Sequence, residues 1–318
     1  MRTPRRRRGK ALACATHRSY DTRVTEPEII TLPDARRMGV HHFGDPDGVP
    51  LLFFHGWPSD ASMGLLLDSA ARKHHFRVIA PDRPGIGRSD PQPHRTLADW
   101  PADVSALAAH YGLGNFAVLG VSGGGPYALA TAQTMPEKTT ATAIVCGAPP
   151  LHDPDDTLGL LPIYRLLLRS HRSFPRLLRL AFRAGRPLLR HLLPDGLWRL
   201  ATRRLPAPDR ATLADPRNFA IIFGGMRRSW AACRDGVFDD AVLYTRPWDF
   251  APAQIRTPVE IWHGEMDSNF PPELARKLAA SIPGANLHIV PGEGHYSLPV
   301  NHAGTILAAL ARSARSSS

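Results

Sequence analysis

The sequence predicts an α/β fold: a mostly parallel sheet with helices on both faces and an inserted all-helical cap. Three observations carry this. Apolar runs of four to six residues alternate with helix-like segments through residues 26–150 and again through 246–313, which is how strands buried on both faces read. Residues 151–245, between them, are Leu- and Arg-rich, are broken by eight prolines and hold no convincing strand. A serine flanked by glycines, Ser122, stands at the abrupt junction of one such strand with a helix.

In chain order, Ile29–Leu32 and Arg37–Phe43 read as strands. The turn Gly44–Gly48 leads into the apolar run Val49–Phe54, which ends at His55-Gly56-Trp57-Pro58. Ser59 or Asp60 can cap a helix running to about Lys73. The strand Arg77–Ala80 enters Pro81-Asp82-Arg83-Pro84-Gly85-Ile86-Gly87-Arg88-Ser89-Asp90, and a helix follows from about Asp99 to Tyr111, with Gly112 past its end. Phe116–Leu119 is a strand, Gly120 to Gly124 the turn, and a helix continues from Tyr127. After the strand Ala141–Cys146 comes the insertion. The sheet resumes at Pro258–Trp262, followed by a helix over Pro271–Ser281, a strand over Asn286–Val290 and a last helix from about Val300 to Ala311.

Composition narrows the class. A hydrophobic content of 43% and a charged content of 21% describe an ordinary globular protein. Three cysteines, Cys14, Cys146 and Cys233, form neither a disulfide framework nor a C-x-x-C pair, which suits a reducing compartment. The net charge of +11 is concentrated. Residues 1–10 hold six positive side chains and no acid, and Arg165–Arg204 contains eleven arginines against Asp195. No nucleic-acid-binding motif accompanies either stretch, so nucleic acid is not an expected partner. Residues 1–25 read as a disordered basic extension whose apolar run is too short for a signal core, and no run approaches a membrane span. The expected location is cytoplasmic.

Within the insertion, arginines 165, 169, 172, 176, 179, 183, 186 and 190 step by three or four residues, with leucines between them. Pro175 and Pro187 are expected to break this into separate helices in one amphipathic register. Two accounts fit: a lid with its Leu face on the core and its Arg face in water, or a weak contact with an anionic surface.

The G-x-S-x-G spacing has a mechanical reason. The apex residue sits on a strained turn, and Gly120 and Gly124 let strand and helix approach without a Cβ clash. There the Ser122 hydroxyl projects from the sheet at a helix N-terminus that favours developing negative charge. His41-His42 and His74-His75 lack metal-ligand spacing and read as surface; no metal or other cofactor is called for. His55 belongs to a turn and is expected to bond neighbouring backbone.

Five motifs follow one another in order: HGW at 55–57, DRPGIGRSD at 82–90, GVSGG at 120–124, HGEMD at 263–267 and GEGH at 292–295. Together they resemble the α/β-hydrolase superfamily, including its nucleophile–acid–histidine order. The resemblance covers roughly residues 28–311 and implies an α/β-hydrolase sheet with its cap after the sixth strand. It implies Ser122 as nucleophile, His295 as general base, Asp267 as the carboxylate that orients the histidine, and the backbone N–H groups of Trp57 and Gly123 as oxyanion donors. Asp153 and Asp155 follow the sixth strand, where some members carry the acid; the HGEMD context favours Asp267. Three glycines, Gly123–Gly125, replace the bulkier residue many members place after the serine. The implied activity is hydrolysis of a small or medium carboxylic ester. Alternatives are an amide hydrolase resembling proline iminopeptidases and a non-catalytic receptor or scaffold of the same fold.

Overall fold

The computed structural model describes residues 26–152, 157, 159–191, 200, 202–232 and 235–315. The basic extension, Asp153, Asp155, Asp195 and part of the insertion therefore lie outside the described residues.

Eight strands form one sheet: β1 (Glu28–Thr31), β2 (Arg37–Gly44), β3 (Val49–Phe54), β4 (Phe76–Pro81), β5 (Phe116–Val121), β6 (Thr139–Val145), β7 (Val259–Gly264) and β8 (Asn286–Val290). Their order is β1-β2-β4-β3-β5-β6-β7-β8. β2 runs antiparallel to both its neighbours, and every pairing from β4 through β8 is parallel. All six residues of β5 and of β7 are buried, because successive side chains alternate between two covered faces. Leu52, Phe54 and Val118 point into one core with Trp100, Val104 and Tyr127. Leu51, Phe53 and Leu119 point into the other with Leu67, Ile306 and Leu310.

The helices outside the insertion are α1 (Asp68–Lys73), α2 (Trp100–His110) and α3 (Gly125–Thr134), then, near the C-terminus, Pro272–Ala280, Ser297–Asn301 and Ala303–Arg315. Asp60 caps as expected, accepting from the Ser62 amide at 3.2 Å. It opens a 3₁₀ turn, Ala61–Leu66, that precedes α1, so the single helix read from the sequence is two pieces.

Between β6 and β7 the described residues form α4 (Pro162–Ser173), α5 (Pro175–His191), α6 (Ala207–Ala214), α7 (Pro216–Ala232) and α8 (Gly236–Tyr244), and no strand. The break at Pro175 is present. The one expected at Pro187 is not: α5 runs through it to His191. A proline removes one intrahelical hydrogen bond, and this helix continues on both sides of that gap.

The insertion is not a uniform lid. α8 belongs to the core, with Leu243 and Tyr244 buried beside Tyr127 and Ala148. α7 lies on the Ala61–Leu66 turn, where Arg228 Nε meets Asp60 Oδ2 at 2.8 Å. The motif loops after β3, β4, β5, β7 and β8 all lie at the strands' carboxyl ends, where chemistry gathers in such sheets.

Candidate active site

Ser122 directly follows β5 with φ of 51°, in the left-handed region that a non-glycine residue seldom adopts. The flanking glycines are sterically required. A Cβ on Gly124 would stand 2.0 Å from the Phe54 carbonyl oxygen, and one on Gly120 2.5 Å from the Gly124 carbonyl oxygen. The third position has a different cause. A Cβ on Gly123 would lie 2.5 Å from the Tyr244 hydroxyl and 2.8 Å from Trp57 Cβ. The space that a bulkier residue would take after the serine is thus filled by Tyr244 from α8, whose hydroxyl donates to the Gly123 carbonyl at 2.9 Å. Trp57 abuts Gly123 from the loop after β3, so the two backbone segments expected to supply oxyanion donors are neighbours.

The loops after β7 and β8 bring Asp267 and His295 to the serine. His295 Nε2 lies 3.0 Å from Ser122 Oγ, and His295 Nδ1 lies 2.8 Å from Asp267 Oδ2. The other oxygen, Asp267 Oδ1, accepts from the amides of Asn269 at 2.8 Å and Phe270 at 3.0 Å. That leaves Oδ2 aimed at the imidazole. Burial would raise the Asp267 pKa, but the charge and hydrogen bond of His295 hold it below the ordinary carboxylate value. Burial likewise opposes charge on His295, yet Asp267 beside it, helped by Asp209, holds its pKa above the ordinary imidazole value.

Asp209 was not singled out in the sequence. It is buried on α6, and its carboxylate accepts three consecutive amides: His295 at 3.1 Å, Tyr296 at 2.9 Å and Ser297 at 2.9 Å. A Cβ on Gly294 would stand 2.5 Å from either Asp209 oxygen, so that glycine makes room for the carboxylate. A side chain of the insertion therefore holds the histidine loop in place. Its only sequence signal is Gly-x-Gly-His, whose second glycine needs a close neighbour.

A second buried carboxylate, Asp240 on α8, also went unread. It accepts from Arg83 Nε at 2.8 Å, from Arg95 Nη2 at 2.5 Å and from the Tyr127 hydroxyl at 2.6 Å. The two guanidinium groups keep its pKa well below the ordinary carboxylate value despite burial. Arg83 also donates to the carbonyls of His55 and Gly56. This network fastens the HGW loop from below while Tyr244 fastens the elbow. His55 itself bonds neighbouring backbone, as expected: Nδ1 lies 3.0 Å from the Gly56 carbonyl oxygen. Burial and the nearby Arg83 push its pKa well down, keeping it neutral.

His41 is a correction to the sequence reading. It is buried and stacks on Phe43 at 6.0 Å rather than facing solvent, because β2 is covered there by the Ala61–Leu66 turn. Among the described residues, one group has the spacing of a metal site: Cys146, Asp267 and His295. Two of its members already face each other in the array described above, and burial pushes the Cys146 thiol pKa well up. That is the wrong direction for a thiolate ligand.

Two clefts meet at Ser122. One is apolar, lined by Trp57, Tyr164, Leu168, Phe182, Phe238 and Tyr244 among others, under α4 and α5. The other opens on the His295 side, between Met63, Ile222, Met226 and Tyr296. No Asp or Glu lines either cleft among the described residues.

Comparison with known proteins places the chain in a family. The model of the alpha/beta hydrolase fold matches residues 49–301, most of the chain. The chain belongs to the alpha/beta hydrolase family. A non-heme chloroperoxidase of Streptomyces lividans is 34% identical over 152 residues, which is 45% of this chain and 55% of that protein, so the match spans about half the relative's length. A proline iminopeptidase of Xylella fastidiosa (strain Temecula1 / ATCC 700964) is 27% identical over 305 residues, 84% of this chain and 90% of the relative. A bifunctional esterase/perhydrolase of Acinetobacter calcoaceticus is 28% identical over 295 residues, 87% and 95% of the two chains. Among solved structures, an esterase from Thermogutta terrifontis superposes with a TM-score of 0.63 at 22% identity, covering 92% of this chain and 99% of that one, a likeness of fold.

Proposed function

We propose that this alpha/beta hydrolase cleaves small or medium carboxylic esters through an acyl-enzyme on Ser122. The observation that carries the reading is the continuous chain Ser122 Oγ, His295, Asp267, with contacts of 3.0 and 2.8 Å at the strained elbow. Ser122 Oγ attacks the ester carbonyl carbon and its proton passes to His295 Nε2. The negative charge on the former carbonyl oxygen is taken by the N–H groups of Trp57 and Gly123, each such donor being worth about a hundredfold or more in rate. The intermediate collapses, the carbon–oxygen bond to the alcohol breaks, and His295 returns the proton to the departing oxygen. Water then repeats the sequence on the acyl-serine, with His295 again the base. Asp267 holds the imidazole tautomer and stabilises its charged form.

The departing alcohol takes its proton from His295, so it belongs in the cleft on the His295 side. The acyl group then fills the apolar cleft under α4 and α5. An amide reading, of the kind the iminopeptidase relative's name suggests, calls for a carboxylate to hold the substrate ammonium. Neither cleft supplies one among the described residues, and the nearby Asp209 is committed to three backbone amides. Turnover of short p-nitrophenyl esters tests the proposal. Ser122→Ala and His295→Ala should each remove activity to near background, and near-wild-type rates in either would refute it. Release of proline from a dipeptide, with no ester turnover, would put the amide reading first.

A further inference from the structure

The outer helices of the insertion are apolar on two sides, and one of those sides is uncovered. Inward, Tyr164, Leu168, Leu178 and Phe182 of α4 and α5 roof the cleft at Ser122. Outward, Ile163, Leu166, Phe174, Leu177 and Leu180 are 54%, 59%, 64%, 63% and 61% exposed. These five make up more than half of the large apolar side chains exposed among the described residues. They cluster on two consecutive helices, whereas singly scattered apolar residues would need no explanation.

The charge carried by these two helices has one sign. Residues 159–191 hold eight arginines and no Asp or Glu. Some of these are engaged elsewhere. Arg179 Nη2 meets Asp239 at 2.8 Å, Arg183 Nε meets Asp235 at 2.9 Å, and Arg172 donates to the His152 carbonyl at 2.9 Å. Arg165, Arg169 and Arg176 are exposed and have no carboxylate partner among the described residues.

We propose that the outward face of α4 and α5 docks on an anionic lipid surface, with the leucines and Phe174 entering the acyl boundary and Arg165, Arg169 and Arg176 meeting the headgroups. Apolar residues at helical spacing rimmed by arginine are the composition that lies in a membrane interface, and long arginine side chains reach headgroups while their stems stay in the apolar layer. The charge excludes other occupants. A second copy applied face to face would bring Arg165, Arg169 and Arg176 against their counterparts, and neither α4 nor α5 carries an acid to place between them. The N-terminal stretch of residues 1–10, with six positive side chains, carries the same sign. Resting on the esterase reading, the proposal also names a substrate class. A lipid ester in the docked surface lies against helices whose opposite face lines the acyl cleft.

The test is flotation of the full chain with vesicles of phosphatidylcholine alone and with an equal part of phosphatidylglycerol. Each arginine near an anionic surface strengthens binding by roughly fivefold. The triple variant Arg165→Gln, Arg169→Gln, Arg176→Gln should therefore lose about a hundredfold of its affinity for the anionic vesicles. Leu166→Ser with Leu177→Ser and Leu180→Ser should weaken binding to the same vesicles by about tenfold or more. Both variants should turn over a short soluble ester as the parent does, which also shows that they fold. Indifference of the parent chain to anionic vesicles overturns the proposal. So does equal binding by parent and both variants, which would assign the contact to the basic N-terminal stretch. A parent dimer in sedimentation that the leucine variant dissociates overturns it in favour of a second copy. Vesicle binding without ester turnover would sink the esterase reading and leave the surface standing.

Discussion

The two halves of the insertion are joined to the rest of the molecule by different physics. Its inner helices, α6 and α8, each send one carboxylate into the core, Asp209 to the histidine loop and Asp240 to the loop under Trp57. Its outer helices, α4 and α5, roof the cleft with apolar side chains, are held at their margins by Arg172, Arg179 and Arg183, and leave a second apolar face uncovered. In a segment dominated by arginine, the scarce acids mark where the chain is fastened: Asp209 and Asp240 bind the core, while Asp235 and Asp239 hold Arg183 and Arg179 of the outer half. The inner half therefore sets the geometry at Ser122, and the outer half only roofs it.

The contrast breaks most sharply on Asp240. Asp240→Ala leaves the Arg83 and Arg95 guanidinium groups buried without their carboxylate, and breaking a pair in this way costs about 3–5 kcal/mol. Urea denaturation should show a loss of that size. Arg169→Ala on the outer half should fall within about 0.5 kcal/mol of the parent. Equal losses at the two positions would mean that the halves do not differ as described.

How much of this was legible follows from the range of each interaction. The elbow, Asp267 and His295 were readable because each lies in a short motif at the end of a strand, where local spacing reports local geometry. Asp209 and Asp240 were not, because their partners lie 86 and 157 residues away for His295 and Arg83, and nothing in a Leu/Arg-rich stretch marks a particular acid. The uncovered face did leave a trace. Leu166-Leu167-Leu168 sweeps about 200° around a helix, more than a single buried stripe can hold. The expected split of leucine inward and arginine outward was therefore too simple. The structure puts Leu168 inside and Leu166 outside. The extra glycine at Gly123 was visible but unexplained until Tyr244, from the far end of the insertion, was seen filling its place.

A smaller effect sharpens the role of the inner half. His295 must be neutral to accept the serine proton, and its pKa is held above the ordinary imidazole value by Asp267 and Asp209. The acid limb of kcat/KM should therefore lie above pH 6.5, the ordinary imidazole value, with activity rising as pH rises through it. Asp209→Asn removes one negative neighbour and should move that limb to lower pH. Asp209→Ala also releases the histidine loop and should lower kcat by about a hundredfold, the scale of an ångström misplacement. A pH profile unchanged in Asp209→Asn would reduce Asp209 to a loop anchor.

The geometry assembled by the inner half should make Ser122 a nucleophile. Labelling of the folded chain with a fluorophosphonate, read by peptide mass spectrometry, tests it without presuming a substrate. A single adduct on Ser122 is expected, absent in His295→Ala and retained when the outer-face arginines are changed to glutamine. A folded chain that gives no Ser122 adduct would contradict it and leave a non-catalytic member of the alpha/beta hydrolase family.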